Sequence, residues 1–176
     1  MPAFCFRRGY CAKATLGTGR VFVGESTIGT NETPGSALGD KITFGNGAIA
    51  ELIVGIGAEA GSTAGTTSIG LTKVLNAAAG MEINFLTTPA PTSSNIVDET
   101  STVASSTSLN AAENAAVKAM NSAGVAYFSF HGNEYFIATN NNGESAVSSH
   151  DAVVELVGIT NIHHAANSGG FVTLHV

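Results

Sequence analysis

The chain has 176 residues, enough for one domain or two small ones with a sizeable core, and its 44% hydrophobic content argues against wholesale disorder. Charged residues make up only 11%, less than half the usual share of about 25%, and polarity is carried instead by Ser, Thr, Asn and 21 Gly. The formal net charge of −6 excludes nucleic acid as a partner, because seven Lys and Arg cannot build a dense phosphate-neutralising patch.

From Phe4 to Thr30 the chain reads as short strands broken by glycine, with Arg20–Val23 the best of them. Cys5 and Cys11 are the only cysteines, and a disulfide and a reduced pair are both compatible with them; structural zinc wants four ligands. The first residues lack the basic region and long apolar run of an ordinary secretory signal. Thr30–Asp40 is turn chemistry, Lys41–Phe44 a short strand, Gly45–Gly47 a turn, and Ala48–Ile56 a buried strand. That last run is the most apolar in the chain and is far too short to span a membrane.

Gly57–Gly70 is rich in small residues. Leu71–Ala79 then predicts a short helix closed by Gly80, and Glu82–Leu86 the next strand. Thr87–Ser108 reads as a long Ser/Thr/Pro loop in which Ile96 and Val97 can form a short strand. Asn110–Ala123 is the strongest helix: Asn110 and Glu113 have capping-box spacing, and Gly124 stands where the helix should stop. Its apolar stripe is Leu109, Ala112, Ala116, Met120 and Ala123, with Glu113, Asn114 and Lys118 off it. Lys73–Phe85 and Lys118–Phe130 align without gaps, which suggests a helix-then-strand unit occurring twice, 45 residues apart.

Ala126–Thr139 is two alternating runs joined by Gly132-Asn133, the pattern of a tight hairpin. That turn pairs His131 with Glu134, Phe130 with Tyr135 and Phe128 with Ile137. It places Phe128, Phe130, Tyr135 and Ile137 on one face and leaves Tyr127, Ser129, His131 and Glu134 on a wetter one. A polar loop Asn140–Asp151, a strand Ala152–Ile159, a turn near 161–170 and a final strand Phe171–Val176 follow. The fold expected is mainly β with a few short helices, a single sandwich-like domain of antiparallel strands. Residues 1–108 form a Gly/Ser/Thr-rich β region and 109–176 a helix-plus-hairpin unit.

The stretch Asn121–Ile159 resembles the C-terminal region of bacterial RTX-type proteins exported by type I secretion, S-layer proteins among them. The features that carry the resemblance are the aromatic strand Tyr127–Phe130, the Gly132-Asn133 turn, Tyr135–Ile137, and Asp151 leading through Val154 and Leu156 to Gly158. The upstream GDKITFGNG is similar to segments that precede such endings. It covers about a quarter of the chain well. The resemblance implies an extracellular or cell-surface protein, the type I export machinery as a partner, and folding coupled to calcium. The family's calcium-binding nonapeptide is missing, so its β-roll does not carry over.

Three sets of residues are candidates for function. Asn140, Asn141, Asn142, Glu144 and Asp151 can supply oxygens to Ca²⁺ as a cofactor; the bland alternative is a solvated loop. All five histidines lie from His131 onward, and His163-His164, near His150 or His131, is a candidate transition-metal or haem site. Neighbouring histidines on a strand point opposite ways, which favours plain exposed residues. Phe171, Val172, Leu174 and Val176 form a candidate assembly edge. No GxSxG elbow is present and the Gly-x-Gly runs lack a third glycine, so no enzyme is expected. The function expected is an extracellular structural protein that assembles with copies of itself into a surface layer or filament. The alternatives are a secreted metal or haem carrier and the secretion or capping domain of a larger protein.

Overall fold

The computed structural model describes residues 19–23, 41–43, 50–54, 72–85, 95–148, 151–160, 162 and 172–174, with Leu52 the one described side chain before Lys73. The expected turn and loop segments at 30–40, 45–47, 57–70 and 163–170, and Cys5 and Cys11, lie outside the described residues.

Among the described residues ten strands and two helices follow in order: β1 Gly19–Val23, β2 Lys41–Thr43, β3 Ala50–Val54, β4 Thr72–Leu75, β5 Glu82–Phe85, β6 Ile96–Asp98, α1 Thr100–Val103, α2 Leu109–Met120, β7 Gly124–Phe130, β8 Asn133–Thr139, β9 Asp151–Val157 and β10 Val172–Thr173. They form a four-stranded sheet, β1-β3-β5-β10, and a six-stranded sheet, β2-β4-β9-β8-β7-β6. The expected strand-dominated single domain with two short helices and two sheets is what forms. Both halves of the sequence feed both sheets, since β5 pairs with β10 and β4 with β9.

The direction of pairing corrects the antiparallel expectation. Only β5/β10, β7/β8 and β8/β9 are antiparallel; β1/β3, β3/β5, β2/β4, β4/β9 and β6/β7 are parallel. The first six strands alternate between the sheets, and β1 meets β3, β3 meets β5 and β2 meets β4 one circuit later. Gly19 pairs with Ala50 and Glu51 with Glu82, both 31 residues apart, and Lys41 with Lys73, 32 apart. GRVFVG, AELIVG and MEINFL are therefore successive passes of one winding. This period replaces the 45-residue echo, whose two lysines sit on a strand and a helix.

Two cores result. Leu52, Val74, Met81, Ile83, Phe85, Val125, Tyr127, Phe136, Val154, Leu156, Val172 and Leu174 fill the space between the sheets. Phe136 is its centre, with ring centroids 5.8 Å from Tyr127 and 6.3 Å from Phe85. Ala126, Phe128, Tyr135, Ile137 and Val153 pack on the other face of the six-stranded sheet against Val103, Ala112, Ala116 and Val117 of the helices.

Leu71–Ala79 is not a helix. Thr72–Leu75 is inserted as a parallel strand between β2 and β9, with Val74 fully buried, and Asn76 at φ 58° ends it. Inter-strand pairing and burial outweigh the weak helix preference of an Ala-rich segment. The described part of the expected 87–108 loop carries β6 and α1. Helix α2 is capped by Ser108, whose Oγ accepts from Ala111 N at 3.2 Å, and closed by Asn121 at φ 52°. Asn110 and Glu113 make no capping box: Asn110 Oδ1 accepts from Asn114 Nδ2, and Glu113 turns into the core. Ser108→Ala is expected to cost about 1 kcal/mol, read as a lower urea midpoint at unchanged slope.

The hairpin forms, with its turn one residue earlier than expected. His131 (φ 49°) and Gly132 (φ 85°) are the two loop residues, both with the positive φ that a type I′ turn demands. Phe130 pairs with Asn133, Ser129 with Glu134 and Phe128 with Tyr135. Moving the turn by one position shifts the pairing by two residues, an even number, so each side chain keeps its face. Phe128, Tyr135 and Ile137 do lie under the helices. The other face is not wet: Tyr127 and Glu134 are buried.

Candidate functional site

Among the described residues of a chain with so few charges, five carboxyl groups are buried: Glu99, Glu113, Glu134, Asp151 and Glu155. Buried charge is costly unless paired or neutralised, so these positions are where the fold concentrates its chemistry.

The first cluster lies on the helix side of the six-stranded sheet. Lys73 of β4 is in register with Glu155 of β9, which is in register with Tyr135 of β8. The three therefore stand in a row across three strands. Glu155 Oε2 is 2.8 Å from Lys73 Nζ. Its Oε1 accepts from Asn133 Nδ2 at 2.6 Å and from the Tyr135 hydroxyl at 3.0 Å. Asn133 Oδ1 in turn accepts from the Gly158 N–H at 2.8 Å. Lys73 is 49% exposed while Glu155 is 5% exposed, so the amine reaches in from solvent to a carboxylate that water hardly touches. Burial, with the neighbouring Glu155 and Glu113 charges adding to it, pushes the Tyr135 phenol up to about 12. It stays a donor to Glu155 at any physiological pH.

Glu113, on α2, is fully buried and neither carboxylate oxygen has a hydrogen-bond partner. Burial pushes it up to about 7. Glu134, on the inter-sheet side, accepts from the Ser129 hydroxyl at 2.6 Å. Burial again dominates there and carries it to about 7, the Ser129 bond opposing and the Asp98 charge assisting.

The second cluster is the loop after the hairpin, where the cation ligands were expected. Glu144 Oε1 accepts from Asn141 Nδ2 at 2.8 Å and Glu144 Oε2 from Thr139 Oγ1 at 3.1 Å. Asp151 Oδ2 accepts from Ser148 N at 2.7 Å. The Ser148 hydroxyl lies 3.2 Å from both Glu144 Oε1 and Asp151 Oδ2, so its one proton is shared between two carboxylates. Asp151 is fully buried, and its Oδ1 has no partner. Burial raises its carboxyl, with the Glu144 charge assisting and the Ser148 bonds opposing. Val147 N donates to Asn114 Oδ1 at 2.9 Å, which ties the loop to α2.

The structure thus brings Asn141, Glu144 and Asp151 together and adds Thr139 and Ser148. Asn142 is diverted: its Oδ1 accepts from Ala123 N at 2.9 Å. Asn140 precedes the cluster and is half-buried. Among the described residues no group of three or more His, Cys, Asp or Glu side chains is placed to hold a metal ion. His131 is exposed in the hairpin turn and stacks on Phe130, centroids 4.0 Å apart. His150, His163, His164 and His175 lie outside the described residues. Of the expected assembly edge, Val172 and Leu174 are fully buried between the sheets, and Phe171 and Val176 lie outside the described residues. Among the described residues no helix is long and apolar enough to cross a membrane.

Sequence reasoning missed Lys73, Asn133, Tyr135 and Glu155 as a group. One signal was present: Glu155 interrupts the apolar run AVVELV, and a carboxylate inside a buried strand needs a partner. No family model matches this chain, and no curated protein matches it in sequence.

Proposed function

We propose that this chain is an extracellular structural protein that assembles with copies of itself into a surface layer or filament, with Ca²⁺ held by the 139–151 loop. The observation that carries the reading is the set of short edge strands that bound both sheets among the described residues. Among the described residues one ends in β1 and β10 and the other in β2 and β6, strands of two to five residues. Such edges present backbone donors and acceptors to another chain, and charge is the usual protection against pairing. β6 has Asp98 as its one charge and leaves Val97 37% exposed. At β10 Val172 points inward and Thr173 is partly exposed.

Export by a type I-like route rests on the resemblance of residues 121–159. The loop suits a hard cation in part: Glu144, Asp151 and the hydroxyls of Thr139 and Ser148 are oxygen donors, and the unpartnered, buried Asp151 Oδ1 is an acceptor in want of a positive partner. Light scattering of the purified protein across salt and calcium tests both halves. Wild type is expected to run as large species that grow with Ca²⁺, and Asp151→Asn to lose the calcium response. A monodisperse monomer under every condition overturns assembly. Equal calcium responses in the two proteins overturn the cation site.

A further inference from the structure

The geometry points to an intramolecular amide cross-link, formed by the chain itself, between Lys73 Nζ and Asn133 Cγ with loss of ammonia. The parts of an acyl-transfer site are gathered around one carboxylate. Lys73 Nζ lies 2.8 Å from Glu155 Oε2 as an ion pair without hydrogen-bond alignment, and Asn133 Nδ2 donates to Oε1 at 2.6 Å. The amine and the carboxamide thus share a single base, which brings the two reacting groups to one site without a bimolecular encounter. Asn133 Oδ1, where negative charge develops when the carboxamide is attacked, already accepts from the Gly158 N–H at 2.8 Å, the position of an oxyanion donor. The Tyr135 hydroxyl, 3.0 Å from Glu155 Oε1, orients the base.

The proton inventory closes without any further reactant. Glu155 takes one proton from the Lys73 ammonium, leaving a neutral amine whose lone pair attacks Asn133 Cγ. In the tetrahedral adduct the Oδ1 oxyanion is held by Gly158 N–H. Glu155 passes its proton to Nδ2 and takes the second from Nζ. The Cγ–Nδ2 bond breaks as the Cγ–Nζ amide forms, and ammonia leaves with the last shuttled proton as ammonium. One lysine ammonium and one carboxamide become one secondary amide and one ammonium, with no change of oxidation state.

The product ties β4 to β8 across β9, between residues 60 apart in the chain and two strands apart in the sheet. A covalent tie of this kind suits a protein under load, but the inference stands on the Glu155 site and is independent of assembly.

Intact mass spectrometry of the purified, reduced protein decides it, with Lys73→Arg made alongside so that any processing common to both cancels. Arginine keeps the charge beside Glu155 but does not attack a carboxamide. The wild type is expected about 17 Da below its sequence mass, the mass of one ammonia, and Lys73→Arg at its own sequence mass. Glu155→Gln, which keeps the size but loses the base, is expected to stay at full mass also. Tryptic digestion of wild type should leave Lys73 uncut and yield one branched peptide containing Lys73 and Asn133. Wild-type protein at full sequence mass, cleaved by trypsin after Lys73, overturns the inference whatever the variants do.

Discussion

Unfolding free energy is expected to fall as pH rises from about 4.5 to about 7, with Glu113 a principal cause. In the unfolded chain its carboxyl titrates near 4.5; inside the helix–sheet core it titrates near 7. Between those values the folded state holds a proton that the unfolded state has released, so stability declines with pH across that window. The contribution is complete below 4.5 and is lost as pH passes through 7. A displacement of this size corresponds to about 3 kcal/mol. Glu134 and the raised Asp151 act in the same direction, each weakened by the bonds that favour its ionised form. Glu113→Met removes the titrating group while nearly conserving the volume beside Ala112, Ala116 and Val117. It is expected to gain about 3 kcal/mol over wild type at pH 8 and much less at pH 4, because a protonated carboxyl is a smaller burden in an apolar site than an ionised one. Urea titrations of both proteins at the two pH values measure this. An identical pH slope in wild type and Glu113→Met would show that the buried carboxyl lies elsewhere.

Gly124→Ala is expected to be the most damaging single methyl in the described chain. Gly124 opens β7 beside β6, and a Cβ there would stand 2.5 Å from the backbone oxygen of Asn95 and 3.2 Å from its Cβ. The obstacle is a carbonyl that cannot rotate away, because that same oxygen accepts from Val125 N at 2.8 Å. Relief requires β6 to peel from β7, which loses the Ile96–Asp98 pairing and uncovers Ile96 and Tyr127. The cost expected is about 2–3 kcal/mol, in the range of overpacking plus lost burial. Hydrogen exchange should show the loss of protection concentrated at residues 96–98 and 124–127. A Gly124→Ala protein with the wild-type midpoint and unchanged exchange there would contradict the packing described.

The local pattern of the sequence was sufficient wherever short-range physics dominates. The alternating run of Ala126–Thr139 determined a hairpin, and period-two alternation determined which side chains share a face, a result that survived the shift of the turn to His131-Gly132. The stripe Leu109, Ala112, Ala116 and Met120 determined helix α2, because one buried face at helical spacing has few other uses. Glu82–Phe85 and Arg20–Val23 were legible for the same reason.

What the sequence left open was decided by partners distant along the chain. Leu71–Ala79 ends in an Ala run that reads as helix, yet Thr72–Leu75 is a strand because β2 and β9 pair with its backbone on both sides and Val74 is buried. The parallel winding was illegible because its period, 31 to 32 residues, shows only as three short apolar runs until the registers align them. Asn133 reads as half of a turn, and Glu113 as half of a capping box. Tertiary contacts reassign both, one to Glu155 and Gly158, the other to a core that holds its proton. Turn, cap and strand are properties of a few neighbouring residues and can be read one segment at a time. A carboxylate's partner and its protonation depend on strands that meet only when the sheets close, and that is where this protein keeps its chemistry.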